Sequence, residues 1–287
     1  MGYEEFKDTL KILVQGKVGE GVEVYFQTTV INNQIPKDVL GFRKEGVDGM
    51  PEIILSGLYE IYVQSQKIEL VLDRIMEIYQ NQKKILTEEY HFMEWEEIKS
   101  KIMICLVKKE WNEERLKTRA YKEFLDMAVI FRGIVWNAEN MATVDITNDL
   151  LEQWGIGIDD LWKAGMENLR NEPIYIRSIA EIMGFEVDEE IPFYIMSRKS
   201  GPYGAAAMLR EDMLQEFAKE LESDLYILPC SVHEIILLEK TDDTDVLKLK
   251  RHVQAVNNDS GAVRPEECLS DMVYLYDRKE KCIKIAV

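Results

Sequence analysis

The segment Asp224–Lys240 (DLYILPCSVHEIILLEK) constrains the fold more than any other part of the chain. Two apolar runs, Leu225–Leu228 and Ile235–Leu238, flank a short link containing Pro229, Cys230, Ser231, His233 and Glu234. Each run is too short for a helix and rich in Ile and Leu, which predicts a buried strand. Pro229 has no N–H to give to a sheet ladder, so it belongs at a strand end or bulge. Two core strands and the closest grouping of Cys, Ser, His and Glu in the chain therefore coincide.

Patterning extends this reading in both directions. Tyr3–Val14 places Phe6, Leu10 and Leu13 on one helical face, and Val22–Val30 alternates as a half-buried strand. Asn32, Asn33 and Pro36 then predict a loop running to Gly49, and Pro51–Tyr62 reads as strand followed by helix. Helices are expected at Lys67–Leu86 and Glu94–Lys109. Phe124–Trp136 and Ala142–Ile146 form a hairpin across Asn137–Asn140. Further helices are expected at Asn148–Trp154, Asp159–Leu169, Ile174–Met183 (capped by Gly184), Met208–Leu221 and Asp245–Val256. A strand is expected at Pro192–Ser197, and Met272–Tyr276 with Cys282–Val287 makes a terminal hairpin. Strands and helices mix without strict alternation, so the class is α+β, with a mixed, largely antiparallel sheet. The charged stretch Lys108–Lys122 suggests a division into residues 1–118 and 119–287, although no Pro/Gly/Ser linker marks it and one domain is the alternative.

Composition removes several function classes. The 287 residues are 46% hydrophobic, enough for a core without a metal or disulfide staple, and carry a formal charge of −18. That charge repels phosphate backbones and anionic lipid unless a local basic stripe overrides it. Lys and Arg are scattered, and the denser group at Lys108–Lys122 is interleaved with Glu110, Glu113 and Glu114, so neither nucleic acid nor membrane is an expected partner. Cys105, Cys230, Cys268 and Cys282 have no metal spacing, and three histidines are too few and dispersed for a zinc cluster, so no metal or cofactor is expected. Reduced thiols and an acidic, amphipathic start without a signal-peptide pattern point to the cytoplasm.

The segments YIMSRKSGPYGAAAML, DLYILPCSVHEIILL, HVQAVN and EECLSDMVYLYD, with EFLDMAVIF and ITNDLLEQWGI before them, resemble an uncharacterised clostridial family catalogued as a domain of unknown function. A more distant likeness is to an uncharacterised bacillus-type cytosolic family. The resemblance implies a Gram-positive bacterial, cytosolic protein and carries no activity. Where the family favours Ser after the proline, this chain has Cys230.

Two groups are candidate sites. Ser231, His233 and Glu234 supply a nucleophile, a general base and a carboxylate to orient it, as a hydrolase or transferase would need, with Cys230 as the other nucleophile. Against this, VHEII lacks the second His of HExxH and no GxSxG is present. Such residues between buried strands commonly satisfy local backbone groups. In the loop Ser197–Ala205, Arg198, Lys199, Gly201 and Gly204 precede a helix and suggest phosphate or nucleotide binding, without the GK[ST] of a P-loop. Asp145, Asp149, Asp159 and Asp160 read as helix caps, Trp154 and Trp162 as core, and Glu266, Glu267 and Asp271 as solvated. The preferred reading is a non-catalytic protein acting through a protein or small-ligand partner.

Overall fold

A computed structural model describes residues 1–44, 52–87, 94–136, 142–184, 193–199, 201–229 and 231–287. The chain separates into two units, Met1–Phe92 and Met93–Val287. The first is built from α1 (Tyr3–Gln15), β1 (Val22–Val30), β2 (Pro36–Lys44), β3 (Ile53–Ile54), α2 (Leu55–Ser65) and α3 (Ile68–Thr87). Its antiparallel sheet has the order β1-β2-β3. Phe6, Leu10 and Val14 of α1 bury against Val24, Leu40, Phe42 and Ile75. The segment expected as a loop after Asn33 is thus largely strand, because Val39–Phe42 has β1 to pair with from Val22↔Lys44 to Val30↔Pro36. The expected glycine-marked end of that loop lies outside the described residues.

The second unit begins with α4 (Trp95–Ile98) and β4 (Ile102–Lys108), followed by α5 (Glu113–Leu116), β5 (Tyr121–Phe124), β6 (Met127–Trp136) and β7 (Ala142–Asp145). In this sheet β6 pairs with β4 on one side and with β5 and then β7 on the other. Next come α6 (Asn148–Trp154), α7 (Ile158–Asn171), β8 (Ile174–Ser178), α8 (Ile179–Met183) and β9 (Phe193–Arg198). After them follow α9 (Glu211–Glu220), β10 (Leu225–Leu228), β11 (Ile235–Glu239), α10 (Val246–Asn257), β12 (Tyr274–Asp277) and β13 (Cys282–Ile285). The six-stranded sheet has the order β13-β12-β10-β11-β9-β8, so the two apolar strands of Asp224–Lys240 sit at its centre. Every described pairing is antiparallel, and the class is α+β.

Three expected helices are corrected. Glu94–Lys109 is one helical turn and then β4, all seven of whose residues are buried. A continuous apolar run satisfies helical spacing as readily as strand spacing, and here both faces are covered. Met103, Cys105 and Val107 face Ala128, Ile130 and Leu116, while Ile102 and Ile104 meet Gly165 of α7. Ile174–Met183 is β8 followed by α8, divided at Ser178, whose hydroxyl and Glu181 form a capping box. Met208–Leu221 is the end of a tight helical segment, Gly204–Leu209, and then α9 after a break at Arg210. The division expected after residue 118 falls between β4 and β6, which pair from Ile102↔Gly133 to Lys108↔Met127.

The segment Gly204–Leu209 is wholly buried and contacts β4 of one sheet and β9 and β11 of the other. A Cβ on Gly204 would meet Ser197 Oγ at 2.0 Å, the His233 carbonyl at 2.2 Å and the Arg198 amide at 2.9 Å. A Cβ on Gly165 would meet the side chain of Ile104 at 2.7 Å. Backbone cannot yield as a side-chain end can, so the two glycines should differ. Gly165→Ala is expected to cost about 1–3 kcal/mol, the usual range for overpacking, and Gly204→Ala more than that. Denaturant melts of both variants test the order, and equal or reversed costs contradict it.

Candidate functional site

Residues 229 and 231–234 lie in the link between β10 and β11 and extend neither strand. Backbone bonds strap this turn to two other segments. Val232 N–H donates to Glu267 C=O (2.8 Å), Ser270 N–H to Pro229 C=O (3.2 Å) and Ala205 N–H to Val232 C=O (3.2 Å). Ser197 Oγ donates to the His233 carbonyl at 2.7 Å. The imidazole of His233 is held at both nitrogens. Nδ1 accepts from Tyr203 N–H at 3.3 Å, and Nε2 lies 3.4 Å from Glu267 Oε1. With Nδ1 as acceptor, the neutral ring carries its proton on Nε2, facing Glu267. The Ser231 hydroxyl does not serve the ring; Oγ accepts the N–H of His233 itself at 3.0 Å. Glu234 is exposed, and the carboxylate beside the ring is Glu267, expected to be solvated. Cys230 lies outside the described residues.

The loop after β9 also disperses its expected site. Arg198 turns inward and is only 1% exposed, donating from Nη2 to the Ile104 carbonyl at 2.6 Å, with Nε 3.2 Å from Glu172 Oε2. Lys199 is exposed, and its N–H donates to Pro173 C=O at 2.8 Å. Gly201 is exposed at φ +93°, whereas Gly204 is buried against Ser197 and His233. The two cations point to different environments and do not form one cradle.

Among the described residues a dense charged grouping lies elsewhere, on Arg115, Arg119, Arg132 and Asp145, which carry no motif. Arg132 on β6 stands opposite Asp145 on β7, with Nε 3.2 Å from Oδ1. The segment before β5 is pinned beside them, since Arg119 bridges Thr147, Ala120 N–H donates to Ile146 C=O and Asn148 N–H to Thr118 C=O. Arg119 therefore reaches Asp145 Oδ2 from Nε (2.7 Å) and Nη2 (2.6 Å). Arg115, one helical turn earlier, reaches the same oxygen from Nη2 at 3.3 Å. Three guanidiniums thus share one carboxylate, and all four side chains are about four-fifths buried. Burial alone would raise the Asp145 carboxyl, but Arg132, Arg119 and Arg115 overcome it and hold its pKa below the ordinary value. Burial and the neighbouring Arg119 charge pull Arg115 down.

Tyr203 joins this cluster to His233. Its hydroxyl accepts from Arg132 Nη1 at 2.5 Å, its ring lies under the Arg132 guanidinium at 5.2 Å, and its N–H holds the imidazole. Tyr203 sits at φ +57°, a left-handed conformation that costs a non-glycine residue about 1–2 kcal/mol. Cys105, fully buried beneath the cluster, has its thiol pushed up to about 11 by burial and is an inert core residue.

Other polar contacts are structural. Asp126 accepts from Ser270 Oγ (2.7 Å) and from the Tyr274 hydroxyl, while Lys108 pairs with Asp271, which also accepts from Asn257 Nδ2 at 2.8 Å. Asp271 is thus an ion-pair partner, where solvation was expected. Of the aspartates read as caps, Asp160 closes the start of α7 onto Gly157 N–H and Asp159 pairs with Lys122, but Asp145 caps nothing. Trp154 and Trp162 are only half-buried, against the expectation of core. Among the described residues no group of three or more His, Cys, Asp or Glu is placed to hold a metal ion, and no helix is long and apolar enough to cross a membrane.

Removing the shared carboxylate should be severe. Asp145→Asn is expected to cost about 3–5 kcal/mol, the scale of a buried ion pair broken on one side. Adding Arg119→Gln to that variant should recover part of the loss, because one unneutralised charge is then gone. The folded pKa of Asp145 lies below the unfolded value near 4, so its contribution is complete above about pH 4. It fades as pH falls through the depressed folded value. Denaturant melts against pH should show the wild type and Asp145→Asn converging only in strong acid, and a gap independent of pH would refute this. Tyr203→Phe, which removes the hydroxyl from Arg132, should cost about 1–2 kcal/mol in the same melts.

No curated protein and no solved structure matches the chain. One family model does, over residues 3–278, nearly the whole length. The chain belongs to DUF5688, a family of unknown function.

Proposed function

We propose that this chain works by binding, with no turnover of its own. The observation that carries this reading is the state of the His233 ring. The lone pair of Nδ1 is occupied by the Tyr203 amide and the Nε2 proton faces Glu267, so neither nitrogen is free to take a proton from a nucleophile. The hydroxyl of Ser231 serves its own turn by accepting a backbone N–H, the short-range pattern typical of Ser between strands. A hydrolase or transferase built on Ser231, His233 and Glu234 has less support, since Glu234 is exposed and apart from the ring. Phosphate or nucleotide binding at Arg198–Gly204 has less support for the same kind of reason, because Arg198 is committed to a buried carbonyl. The reading takes the protein to be bacterial and cytoplasmic. The thiols of Cys105 and Cys282 suit a reducing compartment, and the partner is a small ligand or another protein.

Nitrogen-15 NMR of the imidazoles tests the central point. The neutral His233 ring should be the tautomer with Nδ1 unprotonated and Nε2 protonated, and incubation with activated esters and phosphoesters should leave them unconsumed. Turnover that disappears in His233→Gln, with the melting temperature retained, would overturn the proposal.

A further inference from the structure

Three arginines around one carboxylate leave two positive charges without a counterion among the described residues, in a largely buried place. The excess follows from Arg115, Arg119 and Arg132 set against Asp145. Among the described residues the other acceptors in contact are neutral: the Tyr203 hydroxyl on Arg132 and the Arg115 carbonyl on Arg119 Nη1 at 3.0 Å. Buried charge is costly unless matched, and Arg115 Nε is buried without a hydrogen-bond partner among the described residues. In a chain of formal charge −18, such a concentration of unneutralised guanidinium is against the general trend.

A cavity of about 510 Å³ adjoins the cluster and shares Arg119 with it. Lys109 and Lys117 add positive charge to its wall, Glu113 is the one carboxylate among its described lining residues, and Leu151 and Ile158 supply apolar surface. Both lysines are paired with exposed acids, Glu123 and Glu114, and exposed pairs of this kind are worth little and exchange easily. Small-molecule sites typically have volumes of roughly 300–1,000 Å³, with apolar walls and a few polar groups that fix orientation.

We infer that this cavity binds a small organic anion, a carboxylate or phosphate on an apolar body, whose charged group is met by Arg119 and whose body lies on Leu151 and Ile158. The inference rests on the binding reading above and names the class of ligand. The Nε and Nη2 edge of Arg119 faces Asp145 and one Nη1 proton goes to the Arg115 carbonyl, so the remaining N–H groups on Nη1 and Nη2 meet the anion, and a second anion would supply the counter-charge that Asp145 alone does not.

The full chain is titrated with phenyl phosphate and phenylacetate, with inorganic phosphate, and with neutral benzyl alcohol, at constant ionic strength, followed by amide NMR and thermal shift. Saturable binding of at least one aromatic anion is expected, with inorganic phosphate weaker and benzyl alcohol without effect. Which aromatic anion binds more tightly separates a phosphate from a carboxylate ligand. Arg119→Gln should weaken binding on the order of tenfold or more, as loss of a charged hydrogen bond does, while the remote Lys279→Gln should not. If Arg119→Gln does not fold, Ile158→Trp, which fills the cavity without touching a charge, should abolish binding. Non-saturable shifts, or equal shifts in wild type and Ile158→Trp, would overturn the inference. A neutral ligand bound outside the cavity would overturn it too, yet leave the binding reading standing. Consumption of an added anion over time would instead defeat the binding reading itself.

Discussion

The carboxylate of Asp145 sets the electrostatics of the second unit. Two unit charges about 4 Å apart interact by about 4 kcal/mol at an effective dielectric of about 20, so three adjoining guanidiniums repel one another strongly. Asp145 makes their proximity tolerable, and with it the route of the chain from α5 through β5 to the β6–β7 hairpin. The same arrangement explains why a region so rich in Lys and Arg does not present a basic stripe. Arg115 and Arg119 turn inward onto Asp145, while Lys109, Lys117 and Lys122 stay outside with Glu123, Glu114 and Asp159.

Tyr203 carries that organisation from one sheet to the other. Its left-handed backbone aims the hydroxyl at Arg132 and the amide at His233 at once. Gly204 follows because the backbone there runs against Ser197 and the His233 carbonyl too closely for any side chain. Backbone strain of this kind persists where surrounding contacts over-determine it, and such places cluster at ligand and active sites. Polar links at Arg198–Ile104, Lys108–Asp271 and Asp126–Ser270 join the same two sheets, so the seam between them is held by directional bonds as well as apolar packing.

A cationic recess in an acidic protein has a kinetic consequence. The overall field of a chain at −18 opposes an approaching anion, but charges beyond about 8–10 Å are largely screened at physiological salt. Recognition there depends on close contacts and shape more than on long-range steering.

Local pattern alone determined the α+β class, the central β10–β11 pair, the terminal hairpin and the helices α1, α3, α6, α7 and α10, because each has a clear period or a short bounded apolar run. It did not separate strand from helix at Ile102–Lys108, where every residue is apolar or buried and no period discriminates. The Ser178–Glu181 capping box was present in the sequence as a helix-start signal within a segment read as continuous helix. The arginine in the otherwise apolar run AVIFRGIVW, with an aspartate across the expected turn, was likewise a legible sign of a cross-strand pair. Only the tertiary structure decided the rest. It brought Arg115 and Arg119 to Asp145 and put Glu267, in place of Glu234, beside His233. These meetings depend on strand register and on backbone bonds between segments tens of residues apart, and separation along the chain carries no information about either.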